Sequence, residues 1–225
     1  IFSRFENIID HSRHSRHSSD TESITPPPST KSKIDNVYDV IERTMKSNQG
    51  RIENKTIIVS LSGGVDSMVL AYCLKLQGYN VIAVHINYAN RQSSEEEHEF
   101  VTSWGEYMEI PLYTRCISEI NRNLCKQFEM RSIYESYTKF CRFSFYKQVW
   151  KSLSSEINES ISHLPCVCLG HNYDDCVENI FTNIQKKDKY ENLKGMNSLV
   201  LVENIRLMRP MIDIRKFDIY EYASS

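Results

Sequence analysis

The sequence predicts an α/β fold: a parallel β-sheet covered by helices on both faces. Three observations point there. Short apolar, β-branched runs alternate with helical patterns along the chain. Those runs are continuously apolar rather than alternating, as strands buried on both faces require. The two most polar, glycine-bearing junctions, after Leu61 and after Leu169, both lie between a strand and a helix. Ligands bind beyond that edge of such sheets.

The elements follow in order. Residues 1–34 carry a His/Ser/Arg-rich stretch (Asp10 to Ser18) and the run Pro26, Pro27 and Pro28. Such a segment buries too little apolar area to offset the entropy of ordering it, so it reads as a disordered tail. His11, His14 and His17 within it read as solvated residues rather than a metal site. Acidic Asp10, Asp20 and Glu22 weigh against a transit peptide. The folded region spans 35–225 and opens on a helix whose Val37, Val40, Ile41 and Met45 share one face. Thr56 to Leu61 is a first strand, and Asp66 to Gln77 its helix, stopped by Gly78. Asn80 to Ile86 is a second strand. Ser94 to Met108 is a helix whose Glu95, Glu96 and Glu97 suit the positive end of its dipole. Pro111 to Cys116 is a third strand, Ile133 to Leu153 a long aromatic helix, Cys166 to Gly170 a fourth strand, and Tyr173 to Gln185 the helix after it.

Composition excludes several classes. The formal charge of −2 gives no whole-molecule attraction to a polyanion, so a nucleic-acid site would need a local basic patch or lie in a missing part. No apolar run is long enough to span a bilayer. Seven cysteines form no CxxC pair, which argues against a zinc ribbon or redox dithiol and for a reducing compartment. The cytoplasm is the first expectation, an organelle the alternative. An N-terminal Ile in place of Met marks a trimmed or incomplete product.

Two turns carry the chemistry. Ser62-Gly63-Gly64-Val65-Asp66-Ser67 joins the first strand to its helix. Its glycines let the backbone approach an anion closely, and the helix N-terminus offers open N–H groups. An aspartate there would repel phosphate unless it held a cation, so Asp66 suggests Mg2+. The second turn reads Gly170-His171-Asn172-Tyr173-Asp174-Asp175 and continues to Glu178. Asn172 can cap the helix, while Asp174, Asp175 and Glu178 crowd negative charge at its start. Glu135 and Arg142 lie two helical turns apart on one face, where a surface ion pair is the plain alternative to a shared role in a cleft.

The string SGGVDS resembles the signature of the PP-loop ATP pyrophosphatases. It is not a Walker loop, because no GK[ST] follows. Other segments resemble the catalytic domain of the tRNA(Ile)-lysidine synthetases: Val84 to Tyr88 with Arg91, Tyr134-Glu135 through Arg142-Phe143, Leu169 through Glu178, Leu193 to Met196, and Leu207 to Met211. The chain departs from that family at Asn87-Tyr88, where Asp-His is usual, and at Lys139, where an arginine is. The resemblance covers about residues 55–223. Longer members continue into tRNA-binding domains where this chain stops at Ser225.

The resemblance implies a Rossmann-like sheet of the adenine nucleotide alpha hydrolase type and an ATP-dependent ligase. ATP would adenylate a tRNA cytidine, and free lysine would displace AMP. Ser62, Gly63, Gly64, Val65, Asp66 and Ser67, with His85 and Arg91, would hold the nucleotide. Asp66, His171, Asp174 and Asp175 would be catalytic, with Mg2+ on Asp66 and Asp175. Glu135, Arg142, Glu178 and Arg209 would contact substrate. The expected partners are tRNA and free lysine, with no membrane and with a homodimer left open. Two rivals stand beside it: a tRNA thiolase, for which Cys176 beside the aspartate pair is the test, and a nucleotide-binding module without catalysis.

Overall fold

The computed structural model describes residues 31–52, 55–90, 94–156, 164–185 and 195–225. The predicted tail falls almost wholly outside them, as do Arg91, Leu193 and Lys194. Helix α1 (Lys31–Ser47) is followed by a short 3-10 turn, Gln49–Arg51, and then β1 (Thr56–Ser60), α2 (Val65–Leu76), β2 (Asn80–Asn87), α3 (Ser94–Tyr107) and β3 (Leu112–Cys116). After these come α4 (Arg122–Gln127), α5 (Arg131–Glu156), β4 (Cys166–Cys168), α6 (Tyr173–Gln185), β5 (Leu199–Val202), β6 (Ile205–Met208) and α7 (Lys216–Ser224).

The six strands form one sheet in the order β3-β2-β1-β4-β6-β5. All neighbouring pairs are parallel except β5 with β6. Strands β1, β2, β4 and β6 are buried because period-two alternation sends their side chains into two separate cores, while β3 and β5 lie at the edges of the sheet and are partly exposed. Ile57, Val59, Val81, Ala83, Cys166, Cys168 and Met208 meet α1, α2, α3 and α7 on one face. Ile58, Ile82, Val84, Val167, Ile205 and Leu207 meet Phe143, Tyr146, Val149, Trp150 and Leu153 of α5 on the other. The sequence-predicted face of α1 is used: Val37, Ile41 and Met45 are buried.

Two differences from the sequence reading matter. Four strands were expected and six are present. The additional pair is a hairpin whose turn residues Glu203 and Asn204 both have positive φ, 50° and 62°. That is the two-residue turn geometry that matches strand twist. It places an antiparallel strand at one edge of the sheet. The second difference is α7, which the sequence reading left unassigned and which packs on α1 and α2 through Ile219 and Ala223. No helix among the described residues is long and apolar enough to cross a membrane.

The strand order fixes where a ligand can go. From β1 the chain runs outward to β2 and β3, then returns to place β4 on the other side of β1. The crevice beyond the carboxyl ends of β1 and β4 is therefore the switch point of the sheet. Both motif turns leave from those two strand ends.

Candidate active site

The turn after β1 is built from its own hydroxyls. Ser62 N–H donates to Ser67 Oγ at 3.1 Å, and the two serine Oγ atoms lie 3.0 Å apart. Ser67 Oγ donates to Gly64 O at 3.0 Å, and Gly64 N–H donates to Ser62 Oγ at 3.3 Å. Gly63 sits at φ 84°, a conformation few side chains tolerate, and a Cβ there would stand 2.9 Å from Val101 Cγ2. No side chain caps the first turn of α2, which leaves its N–H groups open toward an anion.

The turn after β4 is fixed by a reciprocal cap. Asp175 N–H donates to Asn172 Oδ1 at 3.1 Å, and Asn172 N–H donates to Asp175 Oδ2 at 2.9 Å. This is a capping box with Asn and Asp in its two positions, and it buries Asn172 completely. Gly170 locks the two turns together: a Cβ on it would lie 2.9 Å from Ser67 N and 3.1 Å from the Asp66 carbonyl carbon. The backbones of the two motifs are in direct contact.

Between them lies a cleft of about 340 Å³. It is lined by Ser62, Asp66 and Ser67 from the first turn and by Gly170, His171 and Asp175 from the second. Arg142 of α5 and Arg209, just beyond β6, close it. Seven of the candidate site residues, Ser62, Asp66, Ser67, Arg142, His171, Asp175 and Arg209, thus converge on one space. The floor carries residues the sequence reading did not select. Tyr146 donates from Oη to Ser60 Oγ at 2.8 Å beneath the turn, an aromatic position that the sequence alone cannot distinguish from ordinary core.

The electrostatics divide the roles. Burial pushes the Asp66 carboxyl above its ordinary value; Asp175 and Asp174 push the same way, and Lys216 and Asn172 oppose it. Asp66 Oδ1 and Asn172 Nδ2 are both buried without a hydrogen-bond partner of ordinary length. Burial likewise holds His171 below its ordinary value, with the Arg209 and Arg142 cations adding to it and Asp175 opposing. Arg209 Nε donates to His171 Nδ1 at 3.1 Å, and Arg209 Nη1 donates to Asn197 O at 2.8 Å. His171 is therefore a neutral imidazole whose proton is on Nε2, the tautomer this hydrogen bond demands.

Other predicted residues lie elsewhere. His85 is buried behind the first turn, with Nδ1 bonded to Leu61 O at 2.9 Å and its ring beside His98, so it braces the turn from behind rather than lining the cleft. Asp174 does not line the cleft either. Its Oδ2 accepts from Lys216 N–H at 2.7 Å and caps α7, while Tyr173 N–H donates to Ile214 O at 2.9 Å in the reverse direction. Glu178 is exposed one turn farther along α6. Glu135 pairs with Arg131 at 2.7 Å on the exposed start of α5; it shares a face with Arg142 but lies about 10 Å along the axis from it. Lys216, which the sequence reading did not select, is brought to the start of α6 by the docking of α7, where its N–H donates to Asp174 and its positive charge opposes the rise of the Asp66 carboxyl.

This architecture has relatives. The PP-loop domain family matches residues 37–225. The chain belongs to the PP-loop family. A tRNA(Ile)-lysidine synthase of Chlamydia trachomatis is 27% identical over 176 residues, which cover 77% of this chain and 49% of that protein. One from Streptococcus equi is 22% identical over 171 residues, covering 74% of this chain and 35% of that protein. The chain thus spans about half the length, or less, of the curated relatives it matches. Among solved structures, the U34-tRNA thiolase NcsA from Methanococcus maripaludis, described with its 4Fe–4S cluster, superposes with a TM-score of 0.60 at 19% identity. The match covers 87% of this chain and 64% of that one, and at this identity it reflects the fold alone.

The PP-loop site fits the groups its family uses. The positive φ of Gly63 and the uncapped start of α2 form a cradle that suits phosphate, and the packing of Val101 behind Gly63 leaves no room there for a side chain. Asp66 and Asp175 line the same cleft, and a pair of carboxylates suits a hard divalent cation. Among the described residues no group of three or more His, Cys, Asp or Glu side chains is arranged to hold a metal ion. Mg2+ does not require one, since it is commonly held by one or two carboxylates together with water and phosphate.

Proposed function

We propose that this chain is the catalytic domain of an ATP-dependent tRNA-modifying ligase, which adenylates a cytidine and joins lysine to it. The observation that carries this is the contact of Gly170 with Ser67, which makes one cleft of two turns that are distant in sequence. The synthase names of the curated relatives support the choice of substrates.

In this account Ser62, Gly63, Gly64, Val65 and Ser67 hold the β- and γ-phosphates of ATP by backbone N–H and hydroxyl groups. Asp66 and Asp175 would hold Mg2+, which when bound neutralises charge on the leaving pyrophosphate. His171, neutral and tethered by Arg209, offers Nε2–H to an oxygen on the α-phosphate, where charge develops as the cytidine carbonyl oxygen attacks in line. Arg142 stands on the opposite wall as a second cation for that oxygen or for the tRNA backbone. The lysine ε-amine then displaces AMP, giving a C–N bond and two released products, AMP and pyrophosphate. Glu178 and Glu135, exposed outside the cleft, would meet tRNA or incoming lysine rather than the phosphates.

The cysteines favour lysine over sulfur as the second substrate. Cys166 and Cys168 are buried within β4. Cys176 is not among the residues that line the cleft, and its Sγ accepts from Met196 N–H at 3.2 Å. The deciding experiment measures pyrophosphate release with tRNA, ATP and lysine, followed by mass spectrometry of the tRNA nucleosides. A tRNA-dependent release and a lysine-sized mass addition are expected. A sulfur-sized addition would replace this function with thiolation, and no tRNA-dependent release from the full-length protein would leave a nucleotide-binding module.

A further inference from the structure

The formal charge of the whole chain offers a polyanion no attraction, so an RNA partner needs a local basic surface. Helix α4 and the outer half of α5 supply one. Strands β3 and β4 run parallel within one sheet, so α5 between them must run back and begins above their carboxyl edge. Its packing on the sheet starts only at Phe143. Arg142, one residue earlier, lines the cleft. Residues 131–141 therefore stand out from the cleft along about 16 Å of helix. Tyr134 Oη accepts from Asn90 Nδ2 at 2.6 Å, which anchors this outer half to the chain leaving β2. Phe128, in the turn between α4 and α5, is 63% exposed, and Phe140 is 64% exposed. Leu124, Met130 and Ile133 of the same stretch are exposed as well. Exposed apolar clusters of this kind mark interaction sites. Cations are interleaved with them: residues 121–142 carry five lysines and arginines against two carboxylates, Glu129 and Glu135. Arg131 pairs with Glu135 and Lys139 with Glu203 at the surface, whereas Arg122 and Lys126 pair with no carboxylate within 4.0 Å among the described residues. A second exposed apolar pair, Phe181 and Ile184, lies on α6, which carries Asp174, Asp175 and Glu178 and no lysine or arginine, so that face would repel a polyanion.

We propose that α4 and the outer half of α5 form the surface that takes an unpaired RNA segment and leads it to the cleft, with Arg122 and Lys126 on phosphates and Phe128 and Phe140 stacked on bases. Bare aromatic rings among cations suit such a strand, because every base has a stackable face and every link carries a negative charge. A protein partner would use the apolar residues and leave the unpaired cations without a role. A duplex keeps its bases stacked inside, so the ligand is looped or single-stranded RNA. The inference rests on the reading that the chain modifies tRNA, and it adds where the strand lies: the target base enters past Arg142, from the α4–α5 side.

The test is fluorescence anisotropy of a labelled RNA hairpin with an unpaired loop, titrated with the full chain at several potassium chloride concentrations. Phe128→Ala should weaken binding about tenfold and leave the salt dependence unchanged, because it removes one stacking contact and no charge. Arg122→Gln combined with Lys126→Gln should lower the slope of log affinity against log salt by about 1.4, the share of two phosphates on a single strand. Phe128→Trp, which keeps an aromatic face, should bind at least as well as the wild type. Phe181→Ala on α6 is the control and should change neither quantity. All these side chains are exposed, so Tm and affinity for magnesium–ATP should stay at wild-type values, which separates lost RNA binding from lost fold. Wild-type RNA affinity in Phe128→Ala together with a wild-type slope in the double variant overturns the inference and leaves the tRNA reading standing. A wild-type chain that binds no hairpin removes both. If Phe128→Ala instead lowers the mass seen by light scattering while RNA affinity stays intact, the face is a contact between copies of the chain and the inference is overturned.

Discussion

Replacing Gly170 with alanine probes the junction on which the whole site depends. The new Cβ would meet Ser67 N at 2.9 Å, Ser67 Cα at 3.0 Å and the Asp66 carbonyl carbon at 3.1 Å. These are backbone atoms at the start of α2, and they cannot turn aside as a flexible side chain does. Restoring an ordinary contact of 3.4 Å needs a displacement of about 0.5 Å between the two turns. Overpacking of this kind costs about 1–3 kcal/mol, which in a domain of this size lowers Tm by about 2–12 °C. The same half-ångström moves the phosphate cradle relative to His171 and Asp175, so affinity for the magnesium–ATP complex should fall by about tenfold or more. Differential scanning calorimetry gives the first quantity and isothermal titration calorimetry the second. Gly50→Ala is the control, since nothing lies within 4 Å of its Cβ and both quantities should stay put. A Gly170→Ala protein with wild-type Tm and wild-type nucleotide affinity would refute the packing of one turn on the other.

Three further outcomes follow from the site. Asp66→Asn should raise the Tm of the ligand-free protein at pH 7 while reducing magnesium–ATP affinity at least about tenfold; burial holds this carboxyl above its ordinary value, so its ionisation costs stability as pH rises through that window and the amide avoids the cost. His171 has the opposite linkage: its folded value lies below the unfolded one, so stability is lost as pH falls below about 6.5, where the unfolded imidazole takes up protons first. Arg209→Met removes one of the cations that depress His171, so a histidine titration followed by NMR should show its midpoint rise toward the ordinary value, and an unchanged midpoint would contradict the assigned contact. Cys176→Ser should retain full turnover with lysine, because the thiol is engaged with Met196 outside the cleft; loss of turnover with ATP binding intact would favour sulfur chemistry.

Much of this was legible in the sequence because local rules and the global fold agree. Asn80 to Ile86 and Tyr173 to Gln185 were readable from apolar runs and a capping residue, and both match elements of the fold to within a residue. The meeting of the two motif turns was readable as well, since parallel strands put every strand-to-helix turn at one edge. The β5–β6 hairpin was not, because Glu203-Asn204 lacks the glycine that normally announces such a turn, and strands of four residues give little periodicity. His85 sits in a string that resembles the family's, yet whether a side chain at a strand end faces ligand or braces the turn from behind depends on strand parity and packing. Glu135 obeyed the helical face rule and still missed the cleft, because angular position says nothing of distance along the axis. Asp174 and Lys216 were paired by the docking of α7, a tertiary event with no local signature.

The central claim is that the joined turns take the polyphosphate of ATP. A crystal structure of the chain with magnesium and a non-hydrolysable ATP analogue tests it most directly. The phosphates should lie against the backbone of Gly63 to Ser67, with His171 Nε2 within hydrogen-bond distance of an α-phosphate oxygen. Phosphates bound away from the β1–β4 crevice, or a bound nucleotide that touches neither Asp66 nor His171, would contradict the account.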